Sequence, residues 1–182
     1  MVATIRIDQL LQEAVTSPYR MLVTRPTGAA VRGRIQAALD GSECETALLD
    51  FSAIELIDLS CADEVVVKLL ATDTMARRYV VLRGLCDNQR EAIDHVLAQQ
   101  RLAVAALLPE TDRPALLGWA TDDLRRAFDA VCATAGPVVV SALAAMLEWP
   151  VARAADALAT LARHRVVRAA ADGYRPLSLP LL

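Results

Sequence analysis

ALLDFSAIELIDLSCADEVVVKLL, Ala47 to Leu70, reads as a buried strand, an acidic turn and a capped helix in direct succession. Ala47, Leu48 and Leu49 form a short apolar run closed by Asp50-Phe51-Ser52, and Ile54, Leu56 and Ile57 then lead to Asp58-Leu59-Ser60. Apolar runs this short, bounded by turn formers, mark a strand covered on both faces. Ser60 and Asp63 have the spacing of a capping box, with Asp where Glu or Gln is usual, so Ser60 is the expected N-cap. Leu59, Val66, Leu69 and Leu70 fall on one side of the helix that follows.

Upstream, Ala3 to Ile7 and Met21 to Thr24 are expected strands, with Arg25-Pro26-Thr27-Gly28 as a turn. Ala29 to Leu39 has a helical stripe of Val31, Ile35, Ala38 and Leu39, stopped at Gly41. Downstream, Tyr79 to Leu82 is a further buried strand. Asp87 is placed to cap a helix to about Gln99, with Ala92, Ile93, Val96 and Leu97 inward. Leu102 to Leu108 reads as another strand, followed by a turn over Pro109 to Pro114. Strand and helix alternate throughout, which predicts an α/β layer: a mixed sheet with helices on one side.

Residues 47–70 resemble the centre of a STAS domain, the fold of sulfate-transporter tails and anti-sigma-factor antagonists. They are more similar still to a bacterial STAS-like family with Asp-Phe-Ser followed by a Ser-x-Ala-Asp-Glu helix start, here Asp50-Phe51-Ser52 and Ser60-Cys61-Ala62-Asp63-Glu64. The flanks TRPTGAAVRGRIQAAL (24–39) and LCDNQREAIDHVLAQQR (85–101) share the likeness. The resemblance implies a regulatory domain that docks a kinase-like ATPase or a sigma-factor regulator through the start of this helix. By that resemblance the partner patch is Asp58, Leu59, Ser60, Cys61, Asp63 and Glu64. The family's phosphorylated serine follows the Asp of the turn; here that position is Leu59, which implies constitutive binding or another kind of switch. A phosphate one residue later, on Ser60, would lie at the expected helix N-terminus.

The pattern changes near Trp119. Thr121-Asp122-Asp123 opens a helix with acids in its first turn, and Leu124, Ala127, Phe128, Val131 and Ala135 recur at helical spacing up to Gly136-Pro137. Ser141 to Glu148 is a short helix. Val151, Ala154, Ala155, Leu158, Leu161 and Ala162 stripe another, and a hairpin turns at Ala171-Asp172-Gly173. This layout resembles a winged helix-turn-helix. The expected organisation is therefore a STAS-like domain over 1–118 and a mainly α winged-helix domain over 119–182. A DNA-reading version would use Arg153, Thr160 and Arg163 on the recognition helix, with Arg165, Arg168 and Arg175 from the wing. Asp156 on the same helix opposes that role. A protein-contacting or homodimerising module is the alternative.

Composition narrows the function classes. A net charge of −3 gives no sign of a strongly nucleic-acid-binding surface, and 55% hydrophobic with only 4% aromatic content requires a core of Ala, Val and Leu. The N-terminal stretch carries charges where a signal peptide is apolar, and the longest uncharged run, Ala130 to Leu147, is broken by Gly136-Pro137. No membrane span and a cytoplasmic location are expected. Cys44, Cys61, Cys86 and Cys132 are scattered and read as small core residues; with only His95 and His164 beside them they suggest no metal set. Both histidines read as solvated. Asp50 and Asp58 are the nearest thing to a catalytic carboxylate pair, yet acids at strand ends more often form turns and caps. No nucleophile elbow, P-loop or dinucleotide fingerprint is present, so no cofactor and no enzymatic activity are expected.

Overall fold

The computed structural model describes residues 1–15, 19–109 and 114–177. Its centre is a five-stranded sheet in the order β1 (Val2–Arg6), β3 (Thr46–Asp50), β5 (Tyr79–Arg83), β6 (Ala103–Leu107) and β7 (Pro114–Gly118). The first four are parallel and β7 runs antiparallel to β6, so the chain is α/β with a mixed sheet. β3 is buried along its whole length, as its unbroken apolar run requires.

Side chains of each strand alternate between two cores. Ala47, Leu49, Val80, Leu82, Val104, Ala106 and Leu117 face one core. There they meet α1 (Ile7–Ala14), α2 (Arg25–Asp40), the helix after the acidic turn, and α5 (Asp87–Gln99). Leu48, Val81, Ala103, Ala105 and Leu116 face the other. That face is covered by α6 (Asp122–Ala133), α7 (Val140–Leu147), α8 (Val151–Arg163) and a hairpin of β8 (Val167–Ala170) and β9 (Gly173–Pro176). The expectation of helices on one side holds only for the first part of the chain; the C-terminal helices bury the second face.

Several local expectations are corrected. Ile7 leaves the first strand and opens α1, a helix fused to β1 without a turn. Arg25-Pro26-Thr27-Gly28 is the first turn of α2, where proline's missing N–H costs no hydrogen bond. β7 begins at Pro114, the last residue of the expected turn, and runs on through residues for which no element was expected. Cys86, exposed and not a core residue, caps α5 reciprocally with Gln89, while Asp87 lies in the first turn. Val151 is exposed and Ala157 buried, which rotates the buried stripe of α8 from the expected one. His164 is half-buried and packs at a tilt against Trp119, with ring centroids 5.8 Å apart.

The two sheet edges differ. On β7, Arg125 donates to the carbonyls of Leu116 (2.7 Å) and Gly118 (3.4 Å), Asp94 accepts from the Gly118 N–H (2.7 Å), and Pro114 has no N–H to offer. On β1 the register turns the N–H and C=O of Val2 and Thr4 outward, and no side chain among the described residues covers them.

Candidate functional site

A second, two-stranded parallel ribbon, β2 (Met21–Leu22) with β4 (Leu56–Ile57), lies beside the acidic turn. It is extended by hydrogen bonds from Glu55 N to Arg20 O (2.8 Å) and from Asp58 N to Leu22 O (2.9 Å). Leu22 and Ile57 point into the core, so Met21, Val23 and Leu56 point away from it. The ribbon delivers the chain into two helix starts at once, α2 after Thr24 and α3 (Leu59–Ala62) after Asp58.

Asp58 joins the two starts. Its Oδ1 accepts from Cys61 N (2.7 Å) and Ser60 Oγ (2.8 Å), and its Oδ2 accepts from Thr24 N (3.1 Å). The N-cap is therefore Asp58, and Ser60 is a donor to the cap, which corrects the capping-box expectation. Burial pushes the Asp58 carboxyl up, but hydrogen bonds from Cys61, Thr24 and Ser60 outweigh it and hold it below its ordinary value. Thr24 itself has φ 74°, a costly conformation for a β-branched residue. It is held there by Asp58 on one side and, on the other, by the Cys61 thiol donating to its carbonyl (2.9 Å). Gly28 lets the two helices touch: a Cβ there would lie 2.9 Å from Glu64 Cβ and 3.0 Å from Cys61 Cα.

The helix then widens into a π-helical segment, Asp63–Val67, before closing as α4 (Lys68–Leu70). This places Glu64, Val65, Val66 and Val67 all in the buried class. Glu64 is only 3% exposed and is neutralised by Arg25 (3.0 Å), Arg32 (2.5 Å) and Lys68. Asp63 pairs with Arg25 at 2.8 Å. Burial pushes the Glu64 carboxyl up, but hydrogen bonds from Lys68 and Arg25 and the charge of Arg32 prevail and hold it below its ordinary value.

The six candidate partner residues thus separate by accessibility. Cys61 and Glu64 are buried, and burial with the nearby Asp58 charge pushes the Cys61 thiol up to about 12, so it is neither reactive nor reachable. Asp58 is consumed in capping. Leu59, expected on the apolar side of its helix, is instead 51% exposed, and with Ser60 and Asp63 it forms one wall of an open depression closed by Arg25, His95 and Gln99. Three further apolar side chains, Tyr19, Val23 and Leu56, are 37–63% exposed on or beside the same ribbon. Sequence reasoning missed them; the in–out alternation of Met21, Leu22 and Val23 was the available signal.

The second carboxylate, Asp50, accepts from Ser52 N (3.0 Å), Ser52 Oγ (2.6 Å) and Arg83 (2.7 Å), an Asx turn locked by an ion pair. Asp50 and Asp58 sit in separate networks. In the C-terminal part every candidate DNA-contacting arginine has an intramolecular partner. Arg153 forks onto Asp123 (2.5 and 2.7 Å) and stacks over Trp149 at 4.5 Å. Arg163 donates to Thr160 (2.7 Å), and Arg165 to the carbonyl of Met75. Arg168 pairs with Glu45 (3.0 Å) over the Tyr79 ring, and Arg175 pairs with Asp172. No helix among the described residues is long and apolar enough to cross a membrane. Comparison of the chain with protein-family models, curated proteins and solved structures finds no match, so the geometry of this corner is what a functional reading has to stand on.

Proposed function

We propose that this chain is a non-enzymatic regulatory protein whose corner formed by β2, β4 and the start of α3 docks a protein partner. The observation that carries the reading is the half-exposed Leu59 at the start of α3, three residues along the chain from exposed Leu56 on the ribbon that Val23 continues, also exposed. Isolated surface leucines are ordinary, but two of them with an exposed valine around one pair of helix starts are not. Asp58, Thr24 and Gly28 hold that corner rigid, which lowers the entropy lost on binding. The STAS resemblance places partner contact at the same helix start, with a kinase-like ATPase or sigma-factor regulator as the partner class and the C-terminal helices as a winged helix. DNA reading by that winged helix is the weaker alternative. Its arginines would have to leave carboxylates, a ring or a carbonyl before meeting phosphate.

The test is Leu59→Asp. Burying a leucine contributes about 1.5–3 kcal/mol, so partner affinity is expected to fall by roughly one to two orders of magnitude, with the circular dichroism spectrum and Tm unchanged. A partner recovered equally by wild type and Leu59→Asp overturns the reading. So does tight, sequence-selective, salt-sensitive binding of genomic fragments that Arg153→Ala weakens.

A further inference from the structure

The outer margin of β1 is bare where that of β7 is covered. Parallel pairing with β3 uses the N–H and C=O of Ala3 and Ile5, so those of Val2 and Thr4, with the N–H of Arg6, point away from the sheet. No hydrogen bond among the described residues takes up these groups. Edge strands are commonly protected by proline, a bulge, a charge or a covering segment. β1 has no proline and no bulge, and its one charge, Arg6, is neutralised by Asp8 at 2.8 Å. Thr4, at its middle, is exposed. At the Val2 end a cleft of about 440 Å³ opens between β1 and the β8–β9 hairpin, with Glu45, Arg168, Asp172 and Arg175 in its lining. Arg168 takes one oxygen of Glu45, and Arg175 one oxygen of Asp172. Each of these carboxylates is more than half exposed and keeps its other oxygen free to accept.

We propose that β1 is the contact surface for a second copy of this chain: two β1 strands pair antiparallel about a twofold axis at Thr4, joining the two sheets edge to edge. The free groups are their own complement about that residue. Thr4 of each copy donates to and accepts from Thr4 of the other, and each Arg6 N–H meets the opposite Val2 carbonyl. Hydrogen-bonded pairs in an antiparallel ladder recur at every second residue, which is the spacing of Val2, Thr4 and Arg6. The axis is perpendicular to the sheet, so directly opposed side chains share a face. Arg6 of one copy therefore stands beside Val2 of the other, at the mouth of the cleft, where the free oxygens of Glu45 and Asp172 receive its guanidinium. A register slipped in either direction forms fewer of these pairs and takes Arg6 away from Val2. A second copy fits better than an unrelated strand, because donors, acceptors and charges are matched within one sequence. The contact of two five-residue strands is small, so the pair is weak and exchanges. It shares no residue with partner docking at Leu59.

Sedimentation velocity and light scattering on the full chain over a concentration series test it. Reversible dimerisation is expected with a Kd of roughly 1–100 μM. Thr4→Pro removes the central donor of the contact while sparing the chain's own ladder, since β3 does not use the Thr4 N–H. It is expected to stay monomeric at about ten times the wild-type Kd, with the Tm of the dilute wild type. Cysteine placement reads the register without a proline. Across the axis the two Thr4 Cα atoms lie about 5.5 Å apart, within disulfide range. The two Val2 Cα atoms lie more than about 13 Å apart, out of that range. Thr4→Cys is therefore expected to form covalent dimers under mild oxidation, faster than Val2→Cys and faster than the wild type, whose exposed Cys86 sets the background. A chain that remains monomeric up to about 1 mM overturns the proposal. A dimer that Thr4→Pro leaves intact overturns it by placing the contact elsewhere. Val2→Cys crosslinking as fast as Thr4→Cys overturns it by refuting the register.

Discussion

At the scale of single residues, Asp58 does what the sequence assigned to Ser60. Both are small polar residues near a helix start, and spacing alone does not say which oxygen reaches the free N–H groups. The deciding partner, Thr24, is remote in sequence and lies in the left-handed region, so no local pattern contained it. Asp58→Ala is expected to cost about 2 kcal/mol, the upper range for a lost cap, because it also releases Thr24. Ser60→Ala leaves the cap in place and is expected to cost well under about 1 kcal/mol; urea unfolding of the two variants checks the ranking. Glu64→Gln is expected to cost about 2 kcal/mol through loss of its charged hydrogen bonds. The folded-state pKa values of Asp50, Asp58 and Glu64 all lie below their ordinary values. Each contributes stability above the unfolded value of about 4 and loses it as pH falls through the depressed folded value. Chemical stability is thus expected to be flat above about pH 5 and to decline below about pH 4. Asp58→Asn is expected to make that decline shallower.

At the scale of elements, the strands of the sheet core and the longer helices were legible because each carries one unbroken periodicity between turn formers. α1 was not, since it is short and follows β1 with no turn residue to announce it. β7 was hidden by the prolines at 109 and 114, which read as loop although an edge strand tolerates proline at its first position. Helix ends show a further regularity. α5, α7 and α8 each end with a non-glycine residue in the left-handed region: Arg101 (φ 53°), Glu148 (φ 55°) and Arg165 (φ 55°). In each case the next residue's N–H returns to the last turn, as from Leu102 to Leu97, Trp149 to Ala144 and Val166 to Leu161. A chain with only seven glycines has spent none at these stops. Glu148→Gly is expected to stabilise the protein by about 1 kcal/mol, relieving the Cβ clash of this conformation. An unchanged Tm in differential scanning calorimetry would show that Glu148 has an offsetting contact.

At the scale of the molecule, the sequence pointed to two units in succession, whereas their packing was illegible. That one face of β3, β5, β6 and β7 belongs to the C-terminal helices follows from Leu48, Val81, Ala105 and Leu116 meeting Phe128, Leu158 and their neighbours. A buried strand reads the same whether its second cover comes from nearby or from far along the chain. A fragment ending at Gly118 is accordingly expected to expose that face, bind a hydrophobic dye and self-associate, and a separately supplied fragment 119–182 is expected to suppress both. Monodisperse, dye-free behaviour of residues 1–118 alone would show that the face does not need its cover. The guarded margin at β7 carries a last consequence, best put as a matter of valence. Among the described residues, Pro114, Arg125 and Asp94 obstruct one rim, which leaves β1 as the open rim for a strand that joins this sheet. A unit that joins through a single rim terminates any chain it enters, so two copies meeting at β1 make a closed pair and not a lengthening fibre.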